Sequence, residues 1–208
     1  MKVLILGGAG TMAMGGASYL MRYDDVSKIV LTDINMDAVN AVADRLKSPK
    51  IETKYLDALD KEALTNEVKN YDVVLNCVGP FTKFGVPILE TIIDAGVNYV
   101  DVCDDHDAAI DLMALNEKAK ENGVSALICM GTTPGISNVQ AKQLYDMVDE
   151  CHSMKIAWAI TTPDQALAKG TYLENIGDQM ISEAVWTRLI HVASGKVPIW
   201  IDGNWDEI

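Results

Sequence analysis

The chain is poor in cysteine, proline and aromatic residues, and it is short of positive charge. Only 4 of its 208 residues are cysteine, and none stands in a C-x-x-C pair. Zinc-site spacing and a disulfide framework are therefore excluded as sources of stability, and no metal site is expected. Cys77, Cys103, Cys129 and Cys151 lie in or beside apolar runs, the pattern of buried thiols in a reducing, cytoplasmic setting. Lysine and arginine number 17 against 30 aspartate and glutamate, a net charge of −13. Such a chain is a poor partner for a nucleic-acid backbone or an anionic membrane surface. A small anionic ligand is not excluded, because backbone amides bind phosphate whatever the net charge. Long apolar runs are missing too. The nearly uncharged stretch from Met1 to Met21 is strongly apolar only over Val3–Leu6, and Gly7, Gly8, Gly10, Gly15 and Gly16 interrupt the rest of it. It is neither a signal peptide nor a membrane span.

What is present is ordinary globular material, 49% hydrophobic and 23% charged. A compact chain of this length buries roughly 70% of its unfolded surface, enough for a self-sufficient core. The first two-thirds alternates short apolar runs with longer helical patterns. Strands are expected at Lys2–Leu6, Lys28–Thr32, Ile51–Leu56, Asp72–Val78, Asn98–Cys103 and Val124–Met130. Helices are expected at Thr11–Tyr23, Met36–Leu46, Lys61–Lys69, Val86–Ala95 and Asp107–Asn122. Strands without polar alternation, each followed by an amphipathic helix, imply a parallel sheet covered on both faces. Right-handed crossovers then give a doubly wound α/β domain of the Rossmann type.

The regularity ends at Gly131. Gly135–Asp149 and Thr171–Ala193 read as helices, and Ser153–Thr162 as a strand. Val197–Ile201, a turn at Asp202–Asn204 and Trp205 read as a hairpin cut off in its second strand. The expected organisation is a dinucleotide-binding domain over 1–130 and the start of a substrate domain over 131–208, with the rest of that domain lacking.

The strongest local signal is Gly8-x-Gly10-x-x-Ala13, which leaves the first strand and opens the first helix. One glycine makes the tight turn, another admits a pyrophosphate, and the small third residue lets helix and sheet pack closely. Gly8, Gly10, Thr11 and Met12 are the expected phosphate contacts. The competing reading is a turn that needs glycine for geometry alone. Asp33 ends the second strand near the usual spacing for a ribose-binding acid. Its charge would repel a 2′-phosphate, and no arginine comes directly after it, so NAD is favoured over NADP, which stays possible. The competing role for Asp33 is to cap the helix starting near Met36.

Ligands of such sheets bind beyond the carboxyl ends of the strands, here Asn76–Phe84, Asp101–Asp107 and Gly131–Asn138. GGAG near the N-terminus, DVVLNCVGPFTKFGVPILETIIDAGVNYVDVCDD, GTTPGISN and VPIWIDGNWDEI together resemble the saccharopine dehydrogenase-like oxidoreductases, a family of longer chains. The resemblance implies a Rossmann domain plus an α/β substrate domain. It implies hydride transfer between nicotinamide and a carbon–nitrogen bond of an amino acid or its imine. It places Cys77, Val78, Gly79, Pro80 and Phe81 beside the nicotinamide, and Asp104 or Asp105 toward the substrate as the catalytic acid. Thr133 and Asn138, in the Pro-Gly loop, are expected at the substrate. Saccharopine reductases carry an acid where this chain has Thr133, which argues against saccharopine itself.

The same acidic run has a plainer reading, in which one aspartate caps the next helix and others complement its dipole. Thiol chemistry at Cys77 or Cys103 lacks a neighbouring histidine in sequence. None of the seven tyrosines has a lysine four residues on, which excludes a short-chain dehydrogenase. A non-catalytic dinucleotide-binding regulatory or scaffold module is the alternative to an enzyme. A homodimer is the expected assembly.

Overall fold

The computed structural model describes residues 1–156, 198–201 and 204–207. The chain divides into two compact units, Met1–Met154 and Lys155–Ile208. The first contains strands β1 (Lys2–Leu6), β2 (Lys28–Asp33), β3 (Ile51–Tyr55), β4 (Val73–Asn76), β5 (Asn98–Asp101) and β6 (Ala126–Leu127). Between and after them run helices α1 (Thr11–Leu20), α2 (Met36–Leu46), α3 (Lys61–Val68), α4 (Phe81–Asp94), α5 (His106–Met113), α6 (Asn116–Glu121) and α7 (Ile136–Tyr145).

All six strands are parallel, in the order β3-β2-β1-β4-β5-β6. This is the doubly wound sheet that the alternating pattern implies, with its order reversing between β1 and β4. Side chains of β1 divide by the period of two. Val3 and Ile5 join Ala13, Ala17, Val39 and Val42 of α1 and α2 on one face. Leu4 and Leu6 join Leu64, Ile88, Ile92 and Leu112 of α3, α4 and α5 on the other. Both faces of the central strands are sealed, so they carry no polar alternation.

Several boundaries differ from those read in the sequence, each for a local reason. Helix α4 begins at Phe81 rather than Val86 and carries Pro87 inside it. Gly85 lies inside the helix, buried, where a Cβ would make ordinary contact with Phe81 of its own helix and Leu112 of α5. The helix expected over Asp107–Asn122 steps at Ala114–Leu115, where Leu115 N–H turns back to Leu112 O at 3.1 Å, and becomes α5 and α6. Strand β6 is two residues long rather than seven. Just beyond it, the amides of Cys129 and Met130 leave the ladder and bond to Asp101, with Cys129 at φ 61°. Helix α1 stops at Leu20, where Arg22 N–H tightens onto Tyr19 O. Helix α7 stops at Tyr145, four residues early.

In the second unit, β7 (Pro198–Ile201) and β8 (Asn204–Glu207) pair antiparallel, with Trp200 opposite Trp205. Ser153–Ile156 form no strand, and the remainder of the expected strand and the helix expected at Thr171–Ala193 lie outside the described residues. Among the described residues no helix is long and apolar enough to cross a membrane.

Candidate functional site

The reversal of strand order opens a crevice at the carboxyl ends of β1 and β4, and the glycine turn fills its floor. Gly8 N–H donates to Thr32 O at 2.8 Å, and Gly10 N–H to Gly7 O at 3.0 Å. Gly7 has φ +71°, and a Cβ on it would lie 3.0 Å from the Cys77 carbonyl carbon and oxygen. At Gly8 a Cβ would meet Leu31 Cβ at 2.8 Å. These two glycines let the turn pass between β2 and β4. Gly10 is different. Among the described residues its only close neighbour for a Cβ is Gly7 O at 3.2 Å. It is also the N-cap of α1 and offers no side chain to the helix. The first amides of α1, at Thr11 and Met12, have no intrahelical acceptor, and no acid lies in that first turn. Amides without a cap, exposed residues and a positive dipole end are what a pyrophosphate requires.

Asp33 lies at the end of β2, half-buried beside this turn. Its Oδ2 accepts Ala9 N–H at 3.1 Å, and its Oδ1 accepts Asn35 N–H at 3.0 Å. The cap of α2 is Asn35, whose side chain accepts Ala38 N–H at 3.1 Å. Asp33 is therefore not the helix cap, and its carboxylate is turned onto the glycine loop.

On the other side of the crevice, Cys77 N–H donates to Leu6 O at 3.0 Å and brings the segment Cys77–Phe81 against the glycine turn. Val78 N–H is held at 2.9 Å by Asn76 Oδ1, and Phe81, buried, starts α4 after Pro80. Burial pushes the Cys77 thiol up to about 12, with the Asp101 charge adding to it. Burial pushes the Cys103 thiol up to about 12 as well. Both stay protonated at neutral pH and are poor nucleophiles. Of the four cysteines expected to be buried, Cys103 is, Cys77 and Cys129 are half-buried, and Cys151 is exposed in the segment after α7.

Asp104 and Asp105 come directly after β5, whose end pairs with that of β4 through Asn76 opposite Asp101. Asp104 is exposed; Asp105 is buried and stands at the N-cap of α5 without a side-chain cap bond. Thr133 and Asn138 are exposed, in the loop after β6 and the first turn of α7. That loop is tight, with Gly131 N–H on Pro134 O at 3.0 Å and Ile136 N–H on Gly131 O at 3.0 Å. Hydrogen bonds and close backbone approach thus draw the glycine turn, Asp33 and Cys77–Phe81 together. Asp104, Asp105, Thr133 and Asn138 lie at the same carboxyl edge of the sheet. Sequence reasoning placed Asn76 at the start of a switch-point loop and gave neither it nor Tyr99 a role in the site. Asn76 closes the apolar strand β4, and that is the signal that marks it; Tyr99, the second residue of β5, carries no such signal. Among the described residues no group of three or more histidine, cysteine, aspartate or glutamate side chains converges to hold a metal.

A parallel sheet of this order, with an uncapped glycine turn at its switch point and an acid at the end of β2, defines a dinucleotide-binding domain of the Rossmann type. Residues 3–127 match the family described as the saccharopine dehydrogenase NADP binding domain. The chain belongs to that family, and its cofactor is NAD(P). Over 164 residues it is 26% identical to carboxyaminopropylagmatine dehydrogenase of Synechocystis, covering 74% of this chain and 40% of that protein. Over 123 residues it is 31% identical to carboxynorspermidine synthase of Vibrio cholerae, covering 49% of this chain and 28% of that protein. Among solved structures, apo saccharopine dehydrogenase (L-Glu forming) from Saccharomyces cerevisiae superposes with a TM-score of 0.61 at 24% identity, over 71% of this chain and 31% of that one. That likeness is one of fold. The chain spans about 40% of the length of the first of these relatives.

Proposed function

We propose that the protein is an NAD(P)-dependent oxidoreductase that acts on a carbon–nitrogen bond of an amino acid or its imine. The observation that carries the reading is the Asp33 carboxylate locked onto the open glycine turn, directly beside Cys77–Phe81. The division into a cofactor domain over 1–130 and a substrate portion over 131–208 belongs to the same proposal. The names of two relatives, carboxyaminopropylagmatine dehydrogenase and carboxynorspermidine synthase, denote carboxylated polyamines. They favour a substrate that carries both an amine nitrogen and a carboxylate.

In this reading the amides of Thr11 and Met12 hold the pyrophosphate at the N-terminus of α1, and Gly10, whose own amide is spent on Gly7 O, leaves room for its approach. Asp33 accepts the ribose hydroxyls, and its charge opposes a 2′-phosphate, which favours NAD although the family takes its name from NADP. Cys77, Val78, Gly79, Pro80 and Phe81 receive the nicotinamide ring, and the protonated Cys77 leaves that surface uncharged. The bound cofactor supplies or accepts the hydride. Asp104 or Asp105 moves the proton that accompanies it, to or from the nitrogen. Thr133 and Asn138 orient the substrate.

The test is a screen of amino acids and carboxylated polyamines with NAD⁺ and with NADP⁺, and of the matching amine and keto-acid pairs with the reduced cofactors. Turnover with a carboxylate-bearing amine is expected of the full-length protein, and only weak turnover of the 208-residue chain. Tight NADH binding by the full-length protein without turnover of any such amine would instead identify a non-catalytic dinucleotide-binding module.

A further inference from the structure

Beneath the crevice, one buried polar chain reaches three of its loops. Asn76, at the end of β4, is fully buried; besides holding Val78 N–H, it donates Nδ2 to the Tyr99 hydroxyl at 2.9 Å. Tyr99 is 1% exposed, and Asp101, 0% exposed, lies two residues further along β5 on the same face. The Tyr99 hydroxyl interacts with the Asp101 carboxyl. Asp101 Oδ1 then accepts two loop amides, Cys103 N–H at 3.0 Å and Cys129 N–H at 2.7 Å. Its carbonyl accepts a third, Met130 N–H at 2.8 Å. The chain therefore bonds to the segments after β4, β5 and β6. Its neighbours are apolar: Val74, Val97, Cys103 and Val124 belong to the same core cluster as Tyr99.

Burial pushes the Asp101 carboxyl up, against the pull of the Cys129 and Cys103 amides and the Tyr99 hydroxyl. Asp101 Oδ2 is, among the described residues, a buried side-chain oxygen without a hydrogen-bond partner. A half-satisfied buried carboxyl is a poor way to stabilise a sheet, and an apolar side chain is often the more stable filling. What it supplies here is geometry, since one oxygen fixes the distance between two loops.

We infer that Tyr99 and Asp101 are positioning residues that set the spacing of the loops after β4, β5 and β6, and so the seat of the nicotinamide ring. They touch neither cofactor nor substrate. The inference rests on the proposed placement of the nicotinamide at Cys77–Phe81. None of this chain's bonds reaches the glycine turn, Asp33 or β3, so the adenosine end of the cofactor does not depend on it.

That asymmetry supplies the test. ADP-ribose lacks the nicotinamide, and NADH has it. Titration of the 208-residue protein is expected to show NADH bound more tightly than ADP-ribose. In Asp101→Ala the NADH affinity should fall about tenfold, and in the milder Tyr99→Phe about threefold, with ADP-ribose within about twofold of the parent in both. A merely structural role would weaken both ligands together. Equal weakening, or an unchanged NADH to ADP-ribose ratio in either folded variant, overturns the inference. If Asp101→Ala does not fold, Tyr99→Phe decides by the same ratio. Equal affinity of the parent for the two ligands also overturns it and leaves the dinucleotide site standing. A parent that binds neither ligand overturns the dinucleotide site, and the inference with it.

Discussion

In the proposed reading, Asp33 is the one side chain that sets cofactor choice. Both of its oxygens already accept backbone amides, Ala9 N–H and Asn35 N–H, so the carboxylate is held rather than free to swing away. A 2′-phosphate brought to about 4 Å would meet repulsion of up to about 4 kcal/mol per unit-charge pair at an effective dielectric of 20. A ribose hydroxyl would instead gain a charge-assisted hydrogen bond of roughly 1.5–3 kcal/mol. The parent is therefore expected to bind NADH at least about tenfold more tightly than NADPH at physiological salt. Asp33→Ser removes both the charge and the acceptor, and should bring the two affinities to within about threefold, chiefly by weakening NADH. Fluorescence titration with each cofactor checks this, and equal affinity in the parent would refute it.

At the scale of elements, α3 shows how a helix with little apolar surface is fastened to the sheet edge. Leu64 and Val68 face the core, and Asp60 caps the N-terminus by accepting Ala63 N–H at 3.0 Å. The third fastening is Glu67, 9% exposed, which takes Lys54 Nζ from β3 and the Tyr71 hydroxyl at 2.8 Å. Burial raises the Glu67 pKa, but the hydrogen bonds from Lys54 and Tyr71 outweigh it and hold the carboxyl below its ordinary range. A carboxyl depressed in the folded state stabilises above its unfolded pKa, and that contribution is lost as pH falls through the folded one. Because the Lys54 side chain is 54% exposed, the pair is discounted for solvent screening, and Glu67→Gln should cost about 1 kcal/mol at neutral pH. The difference should shrink as the pH drops below the ordinary glutamate value of about 4.3. Denaturant unfolding of parent and variant at neutral and acid pH measures it. A gap that persists undiminished at low pH would locate the effect in packing.

At the scale of the whole molecule, the proposed cofactor contacts and the sheet that carries them lie within the unit Met1–Met154. Among the described residues both core clusters are built from residues before Asp149, and the glycine turn, Asp33 and Cys77–Phe81 are all in place by Phe81. Residues 1–154 alone should therefore unfold cooperatively and bind NADH within about threefold of the 208-residue chain, about 0.7 kcal/mol. Thermal unfolding and calorimetric titration test it. A fragment that folds but has lost NADH would place part of the cofactor site in residues 155–208.

The sequence by itself determined the strand–helix alternation, the parallel sheet, the glycine turn and the acid at the end of β2. Those features depend on local patterning: unbroken apolar strands, helical spacing, and glycines at fixed offsets. Helix α2 even matches its expected bounds, Met36–Leu46, because its Asn35 cap is local too. Tertiary structure decided what depended on contacts distant in the chain. It freed Asp33 from a capping role and turned it onto Ala9, 24 residues away. It cut β6 to two residues because Asp101, 28 residues before Cys129, captures the Cys129 amide. Helix α4 runs on from Phe81 through Gly85 and Pro87, with Gly85 buried near Leu112 of α5. Asn76, Tyr99 and Asp101 form one buried chain only because β4 and β5 lie side by side in register, and no spacing along the sequence encodes that adjacency.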